Sequence, residues 1–404
     1  MGVGRPVLPS AFWSRTSEGT LSFGLEAAQP PSRSRTGRGA LVATAFALAA
    51  ILSLAACSGG TNQPSSPASS GTPAPTTPAS SPQTLSETGS SVMAPLFALW
   101  SPAYHSQFPQ VSLQTASSSS GTGISSAAAG TTDIGASDAY LSPADVTKYA
   151  NLVNIPLAVA ALMVICNVPG ISPSAHLRLN GRVLARIFSG AITRWNDPAI
   201  RSLNPGAALP GSAIVPVHRA DSSGSTFLFT SYMNAQDPTD WSSPLIGTTV
   251  AWPNQPGEIG AKGSGGIVSA VASAPGSIGY VGVSYLPAVT KAGEDEVALG
   301  NSSGNYVLPS ATTIQAGLAS FTNTPANETI SLINGSGGQV YPIINYEYAI
   351  VNVSQLSATL AQDLRAFLNW AISNGTAQLA QVNFQPLPPS VVTLSQAQIA
   401  EIKG

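Results

Sequence analysis

The chain has 404 residues, of which 43% are hydrophobic and only 8% charged, with a formal net charge of −2. That length and apolar share suffice for two domains with their own cores, and so balanced a charge excludes a massed basic face for nucleic acid. Two cysteines, Cys57 and Cys166, exclude a disulfide framework, and His105, His176 and His218 lie too far apart for the spacing of a metal motif.

Arg33, Arg35 and Arg38 precede an apolar run from Ala40 to Ala56 and the sequence Leu54-Ala55-Ala56-Cys57. This is a basic region, an apolar region and a small-residue cleavage site, so residues 1–56 read as an export signal. A cysteine directly after the small residues resembles the lipobox of bacterial lipoproteins, which implies that Cys57 becomes the lipid-modified first residue of the mature chain. A plain transmembrane anchor is the alternative, since the run is nearly long enough to span a bilayer. Residues 57–84 then hold little but Ser, Thr, Pro, Gly and Ala, and read as a flexible tether with nothing to bury.

The body opens with Glu87-Thr88-Gly89-Ser90-Ser91. Apolar residues at 92, 93, 96, 97, 100, 104 and 108 then follow a helical period, with Ser90 or Ser91 as the N-cap and Pro95 in the first turns. Val111–Thr115 predicts a strand, Ser117–Gly123 a hydroxyl-rich turn, and Ile124–Ala129 a helix. Thr131–Ala139 contains a short apolar strand ending at Asp138, and Ser142-Pro143-Ala144-Asp145 starts another helix. Asn180–Phe188 predicts a helix, and Leu162–Cys166 a strand with a buried lone thiol. Leu360, Leu364, Phe367, Leu368 and Ala371 fall at helical spacing and read as core.

Between these lies His218-Arg219-Ala220-Asp221-Ser222-Ser223-Gly224-Ser225-Thr226-Phe227, after a predicted strand at Ala213–Val217 and before a helix at Ser223–Met233. A strand entering a Gly/Ser turn and then a helix leaves backbone N–H groups aimed outward at the positive end of a helix dipole, which suits an anion. Arg219 can grip two oxygens with its planar fork, and Asp221 can hold that fork in place. An ordinary turn with a surface ion pair is the plainer alternative. Asp138, taken alone, reads as a turn or capping aspartate.

Taken together and in order, Glu87–Ser91, Ser120–Ile124, Ile134–Ala139, Arg219–Phe227, Ser277–Gly282, Tyr341–Tyr348 and Phe384–Pro389 resemble the PstS family, the phosphate-binding lipoproteins of the Pst ABC transporter, across nearly all of residues 85–404. The resemblance implies an α/β fold: a two-domain periplasmic-binding-protein clamp of type II with two hinge crossings, near Ala158–Ile165 and Tyr341–Ile350. Domain I is then 85–160 plus 343–404, and domain II is 161–342. It implies a phosphate site in which Ser91 and Ser120 give hydroxyls and Val92 a backbone N–H. Asp138 is its single carboxylate acceptor, Arg219 the guanidinium and Asp221 the partner orienting it. Ser223, Gly224 and Ser225 complete the donors. Residue 92 is often aromatic in the family and 225 often Thr; neither departure removes a donor. The resemblance further implies no cofactor and no metal. The partners it implies are inorganic phosphate, an ABC permease of two membrane subunits with an ATPase, and the membrane through a lipid anchor. The protein is then an exported monomer on the outer face of the plasma membrane or in the periplasm.

The chemistry agrees. Phosphate near neutral pH still carries a proton to donate, whereas an ionised carboxylate only accepts, so Asp138 admits phosphate and opposes sulfate. A phosphatase, or a binder of another oxyanion on the same fold, is the rival reading. The sequence has no H-E-x-x-H, and strand alternation points His218 away from the face of Arg219.

Overall fold

A computed structural model describes residues 77–404; the leader, Cys57 and the tether up to residue 76 lie outside the described residues. The chain runs β1 (Gln83–Gly89), α1 (Ala94–Gln107), β2 (Val111–Ser117), α2 (Ser120–Ala128), β3 (Ile134–Ser137), α3 (Pro143–Lys148) and the long β4 (Leu152–Asn167). It continues through β5 (Arg178–Leu179), α4 (Gly181–Phe188), α5 (Pro198–Leu203), β6 (Val215–Arg219), α6 (Gly224–Gln236), β7 (Ile259–Ala261), α7 (Gly263–Ser273), β8 (Ser277–Gly282) and α8 (Leu286–Ala292). The last elements are β9 (Asp295–Glu296), β10 (Ala298–Gly300), β11 (Tyr306–Val307), α9 (Ala311–Ala319), β12 (Ile344–Asn352), α10 (Ala358–Ala371) and α11 (Pro389–Ala400).

Nine strands form one mixed sheet in the order β2-β1-β3-β12-β4-β8-β6-β7, with β9 also on β4; β11-β10-β5 form a smaller sheet. The seam is β4. Its residues Leu152–Ala161 pair antiparallel with β12, and Leu162–Asn167 pair antiparallel with β8. One apolar strand thus belongs to both halves of the sheet, and β12 runs beside it where the second crossing is expected. Nearly every residue of β4 is buried, which suits a strand covered on both faces. Between Glu347 and Tyr348 the register shifts, so that Leu157 of β4 is passed over as a bulge.

The other pairings decide where the turns go. β1 lies parallel to both β2 and β3, and β6 parallel to both β7 and β8. Parallel neighbours joined by helical crossovers end on the same edge. Gly89 stands level with Ser117 and Ala136, so the turns after β1, β2 and β3 gather together. Arg219 stands level with Ala261, which places the turns after β6 and β7 side by side. Crevices beyond the carboxyl ends of such strands are where open α/β sheets take ligands.

The helices follow their apolar spacing. α1 buries Leu96, Phe97, Trp100 and Tyr104. Tyr104 meets Phe367 and Trp370 of α10 edge-on at 5.1 Å, and Trp100 Nε1 donates to the Gly375 carbonyl at 2.8 Å. Leu360, Leu364, Phe367, Leu368 and Ala371 are all core residues, and Cys166 is fully buried in β4.

Four sequence expectations need correction. β1 begins at Gln83, inside the stretch assigned to the tether, and Ala79 N donates to Asp363 Oδ1 at 2.6 Å; burial of Leu85, Glu87 and Gly89 on alternate positions draws that segment into the sheet. α1 is capped neither by Ser90 nor by Ser91: its N-cap is Met93, without a side-chain bond. α2 begins at Ser120 rather than Ile124, because Ser119 caps it by accepting from Thr122 N. β6 runs from Val215 to Arg219, two residues later than read, while Ala213 bridges to Arg194 instead. The helices expected from Ser142-Pro143 and from Asn180 are present, with Ser142 and Asn180 as their N-caps.

Candidate anion site

The turn after β1 holds Ser90, Ser91 and Val92. Gly89, at φ +150°, makes this turn possible, since a Cβ there would run into the Ala136 backbone. Ser90 Oγ accepts from Val92 N at 3.0 Å and from Met93 N at 3.3 Å, and donates to Asp138 Oδ1. The hydroxyl read as a cap is therefore committed to the carboxylate after β3. Asp138 is 2% exposed; its other oxygen, Oδ2, accepts from Ser225 Oγ at 2.7 Å, and its N–H reaches Ser120 Oγ at 3.4 Å.

Ser225 belongs to the opposite half. It lies in the first turn of α6, behind the turn that begins at Arg219. Arg219 forms a two-pronged pair with Asp221, Nε to Oδ1 at 2.6 Å and Nη2 to Oδ2 at 2.5 Å. The Arg219 side chain is 2% exposed and that of Asp221 15%. Burial works against the guanidinium's charge, but Asp221 beside it, with Asp138 and Tyr280 further off, holds its pKa above the ordinary value. Arg219 N donates to the Tyr280 hydroxyl at 3.1 Å, which anchors the strand end. His218 turns away and stacks on Trp252 with ring centroids 5.0 Å apart.

At the N-cap of α6, Ser223 makes no side-chain cap bond, and its fully buried Oγ has no partner. A buried hydroxyl left unpaired at a helix N-terminus costs free energy unless something else uses it. Gly224 allows the close approach of the two halves: a Cβ there would lie 2.6 Å from Ala139 N and 2.8 Å from Asp138 Cβ. Gly121 N donates to Ser222 O at 3.0 Å, Ser91 Oγ pairs with Ser264 Oγ at 2.8 Å, and Ser284 Oγ donates to Val92 O at 2.8 Å. The two sides are shut on each other through their hydroxyls. Outside them opens a cavity of about 540 Å³ lined by Ser91, Ser118, Ser119, Asp221, Lys262 and Tyr285, among others.

Of the eight residues expected to contact an anion, Val92, Ser120, Gly224 and Ser225 gather at Asp138, Ser91 shares the outer cavity with Asp221, the partner of Arg219, and Ser223 stands at the N-cap of α6. Sequence reasoning missed Ser90, Ser264, Asn345 and Glu347. Ser264 meets Ser91 only through the parallel pairing of β6 and β7, which no local signal announces. Asn345 and Glu347 did carry a signal, the Tyr341–Tyr348 segment.

Residues 73–375 match the family described as a PBP superfamily domain. A crystal structure of a phosphate binding protein from Stenotrophomonas maltophilia shares the fold with a TM-score of 0.63 at 21% identity, over 78% of this chain and 93% of that one. Fold and cleft together define a periplasmic-binding-protein clamp. A relative from Xylella fastidiosa, Phosphate-binding protein PstS, is 34% identical over 315 residues, which span 78% of this chain and 84% of the relative. Its namesake from Pasteurella multocida is 33% identical over 322 residues, 78% of this chain and 90% of the relative. This chain belongs to the PstS family.

Proposed function

We propose that the protein captures inorganic phosphate outside the cytoplasm and delivers it to an ABC-type permease. The observation that carries this reading is the hydrogen bond that links the turns carrying Asp138 and Arg219. Each stands just beyond or at the end of a strand in a different half of the sheet, and Ser225, six residues after Arg219, bonds directly to Asp138. One anion there would touch both halves and stabilise the shut clamp, the hinge mode of such binding proteins. The relatives' names and the family's transport role support the same conclusion.

In this reading Ser91, Ser120, Ser223 and Ser225 donate hydroxyls, Val92 and Gly224 donate backbone N–H groups, and Arg219 binds as a cation held by Asp221. Asp138 accepts the proton that phosphate carries and sulfate lacks. The bonds that now join hydroxyls across the cleft are exchanged for bonds to the ligand. The two domains are 83–160 with 343–404, and 161–342, hinged where β4 changes partner after Ala161. The protein acts as a binder without catalysis, as a monomer tethered through Cys57, and docks on two membrane subunits with their ATPase.

Isothermal titration of the purified protein with phosphate and with sulfate in parallel tests the reading. Phosphate is expected to bind at least tenfold to a hundredfold more tightly, the worth of about 1–3 kcal/mol for one mismatched buried polar contact. Equal affinity, or a preference for sulfate, would remove phosphate as the ligand.

A further inference from the structure

Beside the proposed phosphate site lies a second buried carboxyl, that of Glu347. β12 pairs antiparallel with β3, Tyr348 opposite Ser137. Continued by one residue, that register sets Glu347 level with Asp138. Glu347 is 1% exposed, and its Oε2 is buried without a hydrogen-bond partner. It faces the same narrow cavity as Val92, Asp138, Leu162, Ser225 and Asn345. Asn345, two residues before it on the same face of the strand, donates to the Asp138 carbonyl and so ties β12 to the turn that carries Asp138.

The groups around Glu347 leave it one charged neighbour. From β4 the cavity receives Ala160, Ala161 and Leu162, from α6 Ser225 and Leu228, from β8 Gly282, and from the turn before α1 Val92. α2, which also packs on β12, carries only Ser, Gly, Thr, Ile and Ala. Tyr346 stands on the other face of β12, where it neighbours Glu328, and Tyr348 follows beyond the bulge. Arg219 does not line this cavity and is already paired with Asp221. Two carboxylates this close, with no cation between them, cannot both ionise at ordinary cost.

Resting on the phosphate reading above, we propose that Glu347 is a positioning residue that sets the charge of the anion site: its carboxyl keeps a proton and shares it with Asp138, so that the pair carries one negative charge. Burial, and then the neighbouring charge of Asp138, push the Glu347 carboxyl well above the usual carboxylate range. The shared proton steadies Asp138 from behind while Ser90 and Ser225 hold its two oxygens from the sides. Phosphate arriving on Asp138 adds negative charge, which raises the proton affinity of Glu347 further. The sign follows by linkage: phosphate binding is strongest while Glu347 is neutral and weakens as pH rises through the carboxyl's ligand-free pKa. At most it weakens tenfold per pH unit there, since one proton is coupled to one ligand.

The test is titration calorimetry with inorganic phosphate from mildly acid to alkaline pH on the wild-type chain, E347Q and E347A, together with a carbon-13 carboxyl NMR titration of wild type. The titration of phosphate itself is common to all three proteins, so the differences between their profiles are read. Wild type is expected to lose affinity on the alkaline side and E347Q to lose that limb. E347A is expected to bind about tenfold more weakly at neutral pH for want of the donor, and E347Q to restore most of that loss. The Glu347 resonance should report a protonated carboxyl at neutral pH. An alkaline limb unchanged in E347Q, or an ionised Glu347 resonance at neutral pH, overturns the proposal, and the NMR reading stands even if a variant does not fold. If wild type binds no phosphate at any pH, the phosphate reading falls by itself, while the resonance still decides the state of the carboxyl pair.

Discussion

Asp138→Asn is expected to weaken phosphate binding by about tenfold to a hundredfold and to narrow the gap between phosphate and sulfate. Asp138 offers two acceptor oxygens and no donor, and Ser90 and Ser225 each occupy one side of it. A remaining lone pair can take the proton of a phosphate hydroxyl. An asparagine keeps one such oxygen and replaces the other with an amide that donates. The hydroxyl of Ser225 or of Ser90 must then turn round, and the ligand's proton loses its acceptor. For sulfate the same change removes a repelling charge, so its affinity rises or holds. Parallel calorimetry with the two anions measures the ratio directly, and a variant with an unaltered ratio would show that Asp138 does not read the proton.

Arg219→Met is expected to cost more, on the order of a hundredfold or greater in phosphate affinity, because it removes the site's one buried cation. Methionine fills much of the same volume, so the loss reports charge and hydrogen bonding more than packing. The deletion also leaves the Asp221 carboxylate, now held at 2.5 and 2.6 Å, with no partner but the weak approach of Gly263 N. An unpaired anion beside the ligand adds repulsion to the lost attraction. Arg219→Lys is expected to recover only part of the loss, since an ammonium cannot match the two-pronged grip on Asp221 and still present a second edge to the ligand. Phosphate affinity read together with thermal unfolding separates the two effects: an affinity unchanged in a folded Arg219→Met protein would place the ligand elsewhere.

Much of the scaffold could be read from the chain because its signals are local. The apolar run through Leu162–Cys166 gives the shared strand, Ser142-Pro143 and Asn180 mark the starts of α3 and α4, and the hydroxyl-rich turns do follow strands. The misreadings share one cause. Ser90 and Ser91 look like caps because their side chains are capping types, yet their partners are Asp138 and Ser264, 48 and 173 residues away. Ser90 gives its proton to Asp138 and accepts from Val92 N and Met93 N, ahead of the first turn of α1 and not within it. Ser119, with no such partner, did cap α2, and so moved that helix's start ahead of the expected Ile124. Glu347 shows the same limit. Nothing in Asn345-Tyr346-Glu347-Tyr348 says which face of the strand meets Asp138; only the β3–β12 register decides it. The ordered resemblance to the PstS family named Asp138 and Arg219 together, which neither residue's surroundings in sequence could do.

A crystal structure of the protein grown with phosphate tests the central claim most directly. The account predicts a single ion held from both sides of the cleft, with Asp138 and Ser91 on one and Arg219 and the α6 N-terminus on the other, and with Ser223 Oγ no longer lacking a partner. An ion bound by one half alone, or seated away from Asp138 and Arg219, would contradict it.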